Sequence, residues 1–200
     1  MKAPDATTRP YVMRERARSA AETAERILDA VVELFISTPY SLITLGRVAR
    51  GAGVTVQTVI RRFGDKEGLV AAAAEREVAA VAVLRDQAPA GDLPGIVANL
   101  VEHYERTAPI ALRLLSEEDA SPTIGALARA GREYHRAWCL RVFGPYLSGQ
   151  TGVDRDRRLA QLVAVCDVHT WKLLRRDAGL SRRQTTIALL ELLEPLTGRP

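Results

Sequence analysis

The sequence has few aromatic residues, two cysteines and no long apolar run. Aromatic side chains make up 5% of its 200 residues and hydrophobic ones 47%, so a core would consist mainly of Ala, Leu and Val. This composition favours helices over sheets, and we expect an all-α protein. No apolar run approaches the ~20 residues of a membrane span. The N-terminal segment MKAPDATTRPYVMRER also lacks the apolar core of a signal peptide, so we expect no membrane partner and a cytoplasmic location.

The chain also lacks the residue patterns of common catalytic and metal sites. Cys139 and Cys166 are far apart and do not have the spacing of metal ligands, so we interpret them as buried, reduced thiols. No two histidines are four residues apart, and the sequence contains no HExxH motif and no Gly-rich phosphate loop. We therefore expect no catalytic residue, no metal and no cofactor, and we do not expect an enzyme.

The net charge is +4, and most of the positive excess lies near the N-terminus. Residues 1–70 carry 11 Lys and Arg against 8 Asp and Glu, whereas residues 71–200 carry 17 against 16. Nucleic-acid binding needs such an excess, because most non-specific affinity comes from neutralising phosphates. We interpret residues 1–20 as a flexible basic arm, in which Arg14, Arg16 and Arg18 would lie on phosphates or in a minor groove. The alternative is a solvated polar terminus.

The most informative stretch is TLGRVARGAGVTVQTVIRRF, from Thr44 to Phe63. Thr44 is a good N-cap for a first short helix, whose apolar residues recur at helical spacing. Gly53 ends that helix, because glycine adopts a positive φ without steric cost. Thr55 then caps a second short helix. Two short helices joined by a tight turn predict a helix-turn-helix; the alternative is an ordinary helical hairpin within a core.

The second short helix would have one buried and one exposed side. The buried side would consist of Val59, Phe63 and Thr58. The exposed side would present Val56, Gln57, Ile60 and Arg61. In a DNA-binding helix-turn-helix the second helix enters the major groove with its N-terminal residues at the base edges, while the first helix crosses the backbone.

A wider pattern makes this stretch more specific. It reads Thr44…Val48-Ala49…Ala52-Gly53-Val54-Thr55…Thr58-Val59…Phe63…Asp65-Lys66…Leu69 and follows an apolar helix from Ala24 to Phe35. The pattern resembles the DNA-binding domain of the TetR family of transcriptional repressors over residues 20–75. Ile60 stands where that family usually has a phosphate-contacting tyrosine. Gly46 lies inside the first helix of the motif and weakens it by about 0.5–1 kcal/mol relative to Ala. Both departures concern DNA affinity rather than the fold.

This segment also predicts which side chains contact DNA. The candidates for phosphate contacts are Thr44, Arg47, Arg61, Arg62 and Lys66. Lys66 is included because the resemblance implies a phosphate-contacting lysine at this position; the alternative is a solvated lysine. The base-edge candidates are Thr55, Val56 and Gln57. Gln57 would bond an adenine edge, and Val56 would pack on a thymine methyl.

We expect a three-part organisation. The parts are the flexible basic arm (1–20), a helix-turn-helix DNA-binding domain of three helices (21–68), and a helical bundle for ligand binding and dimerisation (69–200). Outside the helix-turn-helix, the apolar periodicity predicts helices over residues 21–37, 66–84, 96–107, 110–116, 122–142, 154–177 and, capped by Ser181, up to residue 193. Pro109 is expected to break the helix before it.

The C-terminal domain holds the candidates for a ligand pocket. Pockets between bundle helices are mostly apolar with a few placed polar groups, a description that Tyr and Trp fit. The candidate lining residues are His103, Tyr104, Tyr134, Trp138, Cys166 and Trp171. The alternative is that these side chains only fill the core or a dimer interface. The resemblance favours a pocket, since members of that family commonly bind a small-molecule effector there.

The last two predicted helices carry broader apolar stripes than one face of a small bundle needs. We therefore expect a homodimer in which these two helices of each chain form a four-helix bundle, as the resemblance also implies. The alternative is a monomeric helical core. A dimer would read two half-sites of a palindromic, double-stranded DNA operator. The sequence thus predicts a ligand-responsive transcriptional repressor; the alternative is a helical interaction adaptor that does not bind DNA.

Overall fold

Helices form the regular structure of residues 8–198, the part of the chain that the computed structural model describes, and no strand occurs in that range. The helices are α1 (Thr8–Ser37), α2 (Leu45–Ala52), α3 (Val56–Phe63), α4 (Lys66–Arg85), α5 (Leu93–Ser116), α6 (Pro122–Val142), α7 (Gly144–Leu147), α8 (Gly152–Val165), α9 (Val168–Lys172) and α10 (Arg182–Thr197). A π-helical turn, Leu173–Asp177, continues α9. The predicted all-α class is confirmed. Within the same residues, no helix has both the length and the apolar composition needed to cross a membrane.

The chain divides into two units, one up to Arg76 and one from Glu77 onward. This division falls inside α4, so the helix contributes its first part to the unit of α1–α3 and its last part to the unit of α5–α10. The predicted functional boundary between residues 68 and 69 stays a prediction.

The first unit is built on the packing of α1 against α2 and of α2 against α3. Its buried apolar side chains include Ile27, Val31, Val48, Val59 and Leu69. Gly51 allows α2 to approach α1 closely, because a Cβ at this position would lie 3.3 Å from the Ala30 Cβ. The Arg26 Nε of α1 also donates a hydrogen bond to the Ala52 carbonyl at 3.4 Å. These contacts hold the helix-turn-helix against α1.

The start of α1 corrects the predicted flexible arm. Residues 8–20 are helical, so the helix does not begin at Ala21, while residues 1–7 of the predicted arm lie outside the described residues. Pro10 does not interrupt α1, because it lies in the first turn, where backbone N–H groups have no partner within the helix. Of the three arginines, Arg16 is exposed, and Arg18 pairs with Glu22 at 2.9 Å.

The core of the second unit lies among α5, α6, α8 and α10. Helix α5 packs against α6, α9 and α10, while α8 packs against α6 and α10. Each of these four helices contributes fully or almost fully buried side chains, among them Ile96, Leu100, Trp138, Val142, Leu159, Leu162, Leu189 and Leu193. Most of them are aliphatic, as the composition predicts.

Helix α5 runs without interruption through Pro109, so the break predicted at this proline is wrong. An internal proline removes one backbone hydrogen bond and costs about 3 kcal/mol or more. Pro109 lies on the exposed side of α5, whereas Ala108 is buried and Leu112 packs against the core. Apolar burial on both sides of the proline therefore keeps the helix continuous.

The single helix predicted for residues 154–177 is also wrong. Helix α8 ends at Val165, and Asp167 caps α9, since its Oδ1 accepts a hydrogen bond from the His169 N–H at 2.8 Å. Aspartate side chains compete with the helix backbone for such N–H groups, so an aspartate can end one helix and start the next. The break leaves Cys166 and Asp167 between two helices.

The last helix begins as predicted and ends later. The Ser181 Oγ accepts from the Gln184 N–H at 3.3 Å, and the Gln184 Oε1 accepts from the Ser181 N–H at 3.1 Å, which completes a capping box. Helix α10 continues past the predicted end at Leu193 to Thr197 and includes Pro195. Pro195 affects only the last turn of α10. The fixed φ of proline suits a helix, and the missing N–H removes a single backbone hydrogen bond.

Candidate nucleic-acid interface

Capping hydrogen bonds define the turn between α2 and α3. The Thr44 Oγ1 accepts from the Arg47 N–H at 3.3 Å, as expected of an N-cap. Gly53 has φ +66°, and the Val54 N–H donates to the Ala49 carbonyl at 2.9 Å across the turn. The predicted ends of α2 are therefore confirmed. The hydrogen bonds at the C-terminal end of α2 fix the turn from which α3 starts.

Helix α3 presents one side to the core and the other to solvent. The Thr55 Oγ1 caps it by accepting from the Thr58 N–H at 3.2 Å. Val59 is fully buried. The side chains of Val56 and Ile60 are each 40% exposed. Gln57 and Arg61 are exposed as well, so the predicted exposed side of α3 is confirmed. Of the predicted buried side, Val59 is buried, whereas Thr58 and Phe63 are only half-buried.

Arg61 and Arg62 in the last turn of α3 are both exposed. Neither makes an ion pair or a side-chain hydrogen bond with any residue from 15 to 198. Their charges are therefore available to an external anion without breaking an internal contact.

Arg47 is also exposed, but its guanidinium is tied to the segment before α2. Its Nη1 donates to the Leu42 carbonyl at 3.1 Å, and its Nη2 donates to the Thr38 Oγ1 at 3.4 Å. These bonds limit the positions that the charge can reach.

Lys66 differs from the other candidates, because its ammonium group lies on Tyr40. The Nζ donates to the Tyr40 carbonyl at 2.6 Å and lies 3.7 Å from the centroid of the Tyr40 ring. Burial lowers the pKa of Lys66, while the neighbouring Glu67 acts in the opposite direction. The Tyr40 hydroxyl in turn donates to the Glu67 carboxylate. A phosphate contact by Lys66 stays a prediction and would require the side chain to leave this position.

Most residues predicted to line a ligand pocket lie inside the core of the second unit. The buried ones are His103, Tyr104, Trp138, Cys166 and Trp171. The Tyr104 hydroxyl donates to the Cys166 carbonyl at 3.0 Å, and the Tyr104 and Trp171 ring centroids are 6.0 Å apart. Tyr134 is half-buried, and its hydroxyl oxygen is buried without a hydrogen-bond partner among the described residues. The fold brings these side chains together, and their binding role stays a prediction.

Sequence reasoning missed Arg85, the last residue of α4. Its side chain is 2% exposed, and its guanidinium carbon lies 3.9 Å from the centroid of the Trp138 ring. Its Nη2 is 3.4 Å from the His135 Nδ1. An arginine in the last turn of a helix is usually a solvated partner of the helix dipole, so no local signal distinguishes this one.

Burial makes His103 a poor proton acceptor. Desolvation, with a further contribution from the cationic Arg85, lowers the pKa of His103 to about 3. The imidazole is therefore neutral at physiological pH. Among the described residues, no group of three or more His, Cys, Asp or Glu side chains is placed to hold a metal ion.

An open cleft of about 360 Å³ lies elsewhere in the second unit. Its lining residues are Leu112, Leu115, Ser116, Glu118, Arg132, Asp167 and His169. Two side-chain pairs lie in its wall. The Arg132 Nη1 forms an ion pair with the Glu118 Oε2 at 2.7 Å, and the His169 Nδ1 lies 2.8 Å from the Asp167 Oδ1. None of the six predicted pocket residues lines this cleft.

Residues 27–73 match the family model described as bacterial regulatory proteins, tetR family. The chain is 39% identical over 70 residues to the HTH-type transcriptional regulator AlkX of Mycobacterium tuberculosis (strain ATCC 25618 / H37Rv), covering 34% of this chain and 33% of AlkX. It is 43% identical over 65 residues to the HTH-type transcriptional regulator SrpR of Pseudomonas putida, covering 32% and 30%. The matched part spans about a third of the length of these curated relatives.

Two solved structures resemble the fold over most of the chain. A candidate transcriptional regulator from Pseudomonas aeruginosa PAO1 has a TM-score of 0.68 at 16% identity, covering 87% of this chain and 89% of that one. A transcriptional regulator from Rhodococcus sp. Rha1 has a TM-score of 0.67 at 18% identity, covering 88% and 99%. At these identities the similarity concerns the fold alone.

Proposed function

We propose that this chain, whose residues 27–73 match the family model of tetR-type bacterial regulatory proteins, is a DNA-binding transcriptional regulator that acts as a ligand-responsive repressor. The observation that carries the proposal is the orientation of α3. Its N-terminal side chains are exposed, while Val59 anchors its opposite side in the core. A short helix held in this way can lie in a major groove with its first turn at the base edges.

The base-edge contacts would come from the first turn of α3. Gln57 carries both a donor and an acceptor, and this pair of groups matches the N6 and N7 positions of adenine. The exposed Val56 offers an apolar surface to a thymine methyl. Thr55 lies at the cap, where its hydroxyl is already hydrogen-bonded to Thr58, so it would contribute less to sequence preference.

The phosphate contacts would come from both ends of the motif. Thr44 and Arg47 lie at the start of α2, and Arg61 and Arg62 lie at the end of α3. Arg61 and Arg62 suit this role best, because binding a phosphate costs them no internal ion pair. Contacts of this kind position the protein on the duplex and make its affinity fall with salt concentration.

The reading unit would be a homodimer, since one short helix contacts too few bases for a specific site. The interface would form from α8, α9 and α10, where large apolar side chains are exposed. Val153 is 77% exposed and Leu173 is 60% exposed, and Ile187 and Leu192 are exposed as well. A two-fold axis between two copies would cover such side chains and give the palindromic half-sites their symmetry.

Regulation would be a population shift. An effector bound in the second unit would favour the conformations in which the two reading helices do not match the spacing of the half-sites. Helix α4 begins at Lys66 in the first unit and ends at Arg85 in the second, so it is the element common to both, with Gly64-Asp65 as the hinge before it. The coupling is reciprocal, so operator DNA must weaken effector binding by the same factor. An effector that changes thermal stability without changing operator affinity would contradict this mechanism.

Selection of bound duplexes from a random pool tests the proposal most directly. A palindromic consensus with half-sites about one helical turn apart, or a multiple of it, is the expected result. Binding to random duplexes should also weaken steeply as salt rises. No enrichment and no salt-dependent binding to duplex DNA would instead favour a helical adaptor.

A further inference from the structure

Arg85 is the only arginine or lysine among the buried residues of the described chain. Removing a guanidinium from water is costly unless the charge is paired and its N–H groups are hydrogen-bonded. No carboxylate between residues 8 and 198 forms an ion pair with Arg85, and its Nε is buried without a hydrogen-bond partner. The second unit therefore contains a buried positive charge that lacks a carboxylate partner.

The neighbours of Arg85 are aromatic and imidazole rings rather than carboxylates. The guanidinium stacks on Trp138 and lies 6.0 Å from the centroid of the Tyr104 ring. Its Nη2 donates to the His135 Nδ1, a geometry that fits the tautomer whose Nε2–H donates to the Val163 carbonyl at 3.1 Å. Cation–π stacking offsets part of the desolvation cost and holds the guanidinium plane in place. It supplies no negative charge.

One internal group would compete for this role if it ionised, the thiol of Cys139. A hydrogen bond from Cys166, with contributions from His135 and Arg85, lowers the pKa of Cys139 to about 6. The Cys139 sulfur also lies 3.8 Å from the His135 Nε2, one turn earlier in α6, and this contact directs it toward His135 rather than toward the Arg85 Nε. A thiolate there would still leave the Arg85 Nε unpartnered. An anion from outside the chain would satisfy both the charge and the free N–H.

The open cleft is next in sequence to the buried cluster of Arg85, Tyr104, His135, Trp138 and Trp171. Asp167 lines the cleft, and Cys166, the preceding residue, accepts the Tyr104 hydroxyl in the buried cluster. Both residues lie at the break between α8 and α9. A ligand in the cleft would reach Arg85 only if this break opened. Leu112 and Leu115 in the cleft wall would contact its apolar part.

We infer that Arg85 binds the carboxylate of an apolar, singly charged carboxylic acid, which serves as the effector of the regulator. A single guanidinium balances one negative charge, and its planar fork matches the two carboxylate oxygens. The inference rests on the proposed ligand-responsive function. Because Arg85 is the last residue of α4, the anion would bind at the end of the helix that begins beside the helix-turn-helix.

Tryptophan fluorescence of the full-length chain gives a local test. The sequence contains two tryptophans, Trp138 and Trp171, and both lie in this cluster. The probes are butanoate, octanoate, dodecanoate and benzoate, each paired with its primary amide, which has the same shape without the charge. We expect at least one acid to change the fluorescence saturably and to raise the unfolding temperature, and its amide to bind about tenfold or more weakly. If no acid binds, or if the amides bind as well as the acids, the inference is wrong.

Substitutions then show which arginine binds the carboxylate of the acid. Arg85→Gln should weaken binding of the acid about tenfold or more and leave binding of the amide unchanged, while Arg85→Lys should retain part of the preference for the acid. Arg132→Gln tests the competing anion site, because it removes the arginine of the cleft lining, which is exposed and paired with Glu118. Arg136→Gln is the matched control, because it removes an exposed arginine of α6 that does not line the cleft. Loss of acid binding in Arg132→Gln but not in Arg85→Gln would overturn the inference. If Arg85→Gln does not fold, the comparison of acid and amide on the unmodified chain decides.

Two further results separate this inference from the proposed function. Cys139→Ser removes the competing thiolate and should leave acid binding within about twofold; loss of binding would assign the site to Cys139 and overturn the inference. Operator binding is measured on the same samples. A chain that binds DNA but no acid refutes the inference alone, whereas a chain that binds the acid at Arg85 but no duplex refutes the proposed regulator.

Discussion

Arginine lies in two opposite environments in this protein. Arg61 and Arg62 on α3 are exposed and have no internal ion pair among the described residues, so a phosphate can bind them without a desolvation cost inside the protein. Arg85 at the end of α4 is buried against Trp138 and His135 and lacks a carboxylate partner. The same side chain would thus meet a polyanion in water in the first case and one small anion in the core in the second. Surroundings rather than residue type decide which of the two tasks is possible.

The largest effect on stability is expected when the ring that packs against the buried Arg85 is removed. Trp138→Ala deletes the ring under Arg85 and the Nε1–H that donates to the Arg85 carbonyl at 3.1 Å. We expect a loss of about 3–5 kcal/mol in the free energy of unfolding. Urea unfolding followed by circular dichroism at fixed protein concentration measures it. Arg61→Ala is the control and should stay within about 0.5 kcal/mol; similar losses in both variants would remove the contrast between the two environments.

The exposed side of the comparison is tested by DNA binding. Gln57→Ala should lower the discrimination between the preferred and a mismatched base pair by about 1–3 kcal/mol, because it removes a pair of hydrogen bonds to one base edge. Lys66→Ala should instead weaken binding to all duplexes alike, since a phosphate contact carries no sequence information. Titrations of preferred, mismatched and random duplexes distinguish the two. Equal effects of both variants on specific and random DNA would contradict the assignment.

The pH dependence of stability tests the buried environment around Arg85, because the charge of Arg85 contributes to the low pKa of His103. The folded protein keeps His103 neutral down to a pKa of about 3, whereas the unfolded chain takes up a proton near the ordinary value of 6.5. The unfolded state then binds more protons, so stability should fall by about 1.4 kcal/mol per unit as pH drops between these values. His103→Gln should flatten this part of the curve, measured by urea unfolding at several pH values. An unchanged slope in the variant would show that His103 does not titrate in this way.

The smallest effect is expected at the cap of α3. Thr55→Ala removes the acceptor of the Thr58 N–H and should cost about 1 kcal/mol of stability. Thr55→Ser keeps the hydroxyl and serves as the control. Thermal unfolding of the three proteins measures the difference. A loss in Thr55→Ser as large as in Thr55→Ala would point to the Thr55 methyl group rather than the cap.

The helix-turn-helix was largely predictable because its determinants are local. Thr44, Gly53 and Thr55 act on backbone groups within three or four residues of themselves, and both caps and the turn lie where the pattern predicts them. The exposed side of α3 follows from helical periodicity once Val59 is assigned to the core. Their roles in DNA binding remain predictions, since exposure permits a contact without specifying it.

The second unit was less predictable because its determinants are distant in sequence. The continuity of α5 through Pro109 depends on the burial of Ala108 and Leu112 against other helices. The break at Asp167 depends on whether its side chain caps a new helix or leaves the preceding helix to continue, and helical periodicity does not distinguish the two. The cleft was not predicted either, since α5, α6 and the break between α8 and α9 contribute its walls.

The sequence by itself determined the all-α class, the family resemblance, the caps of α2, α3 and α10, and the side of α3 that faces solvent. Each of these depends on interactions that span about one helical turn. Only the tertiary structure decided that Arg85 is buried, since Trp138 and His135 lie 53 and 50 positions further along the chain. Whether a charge meets water or a ring depends on which helices pack together, and that information is absent from the residues next to it.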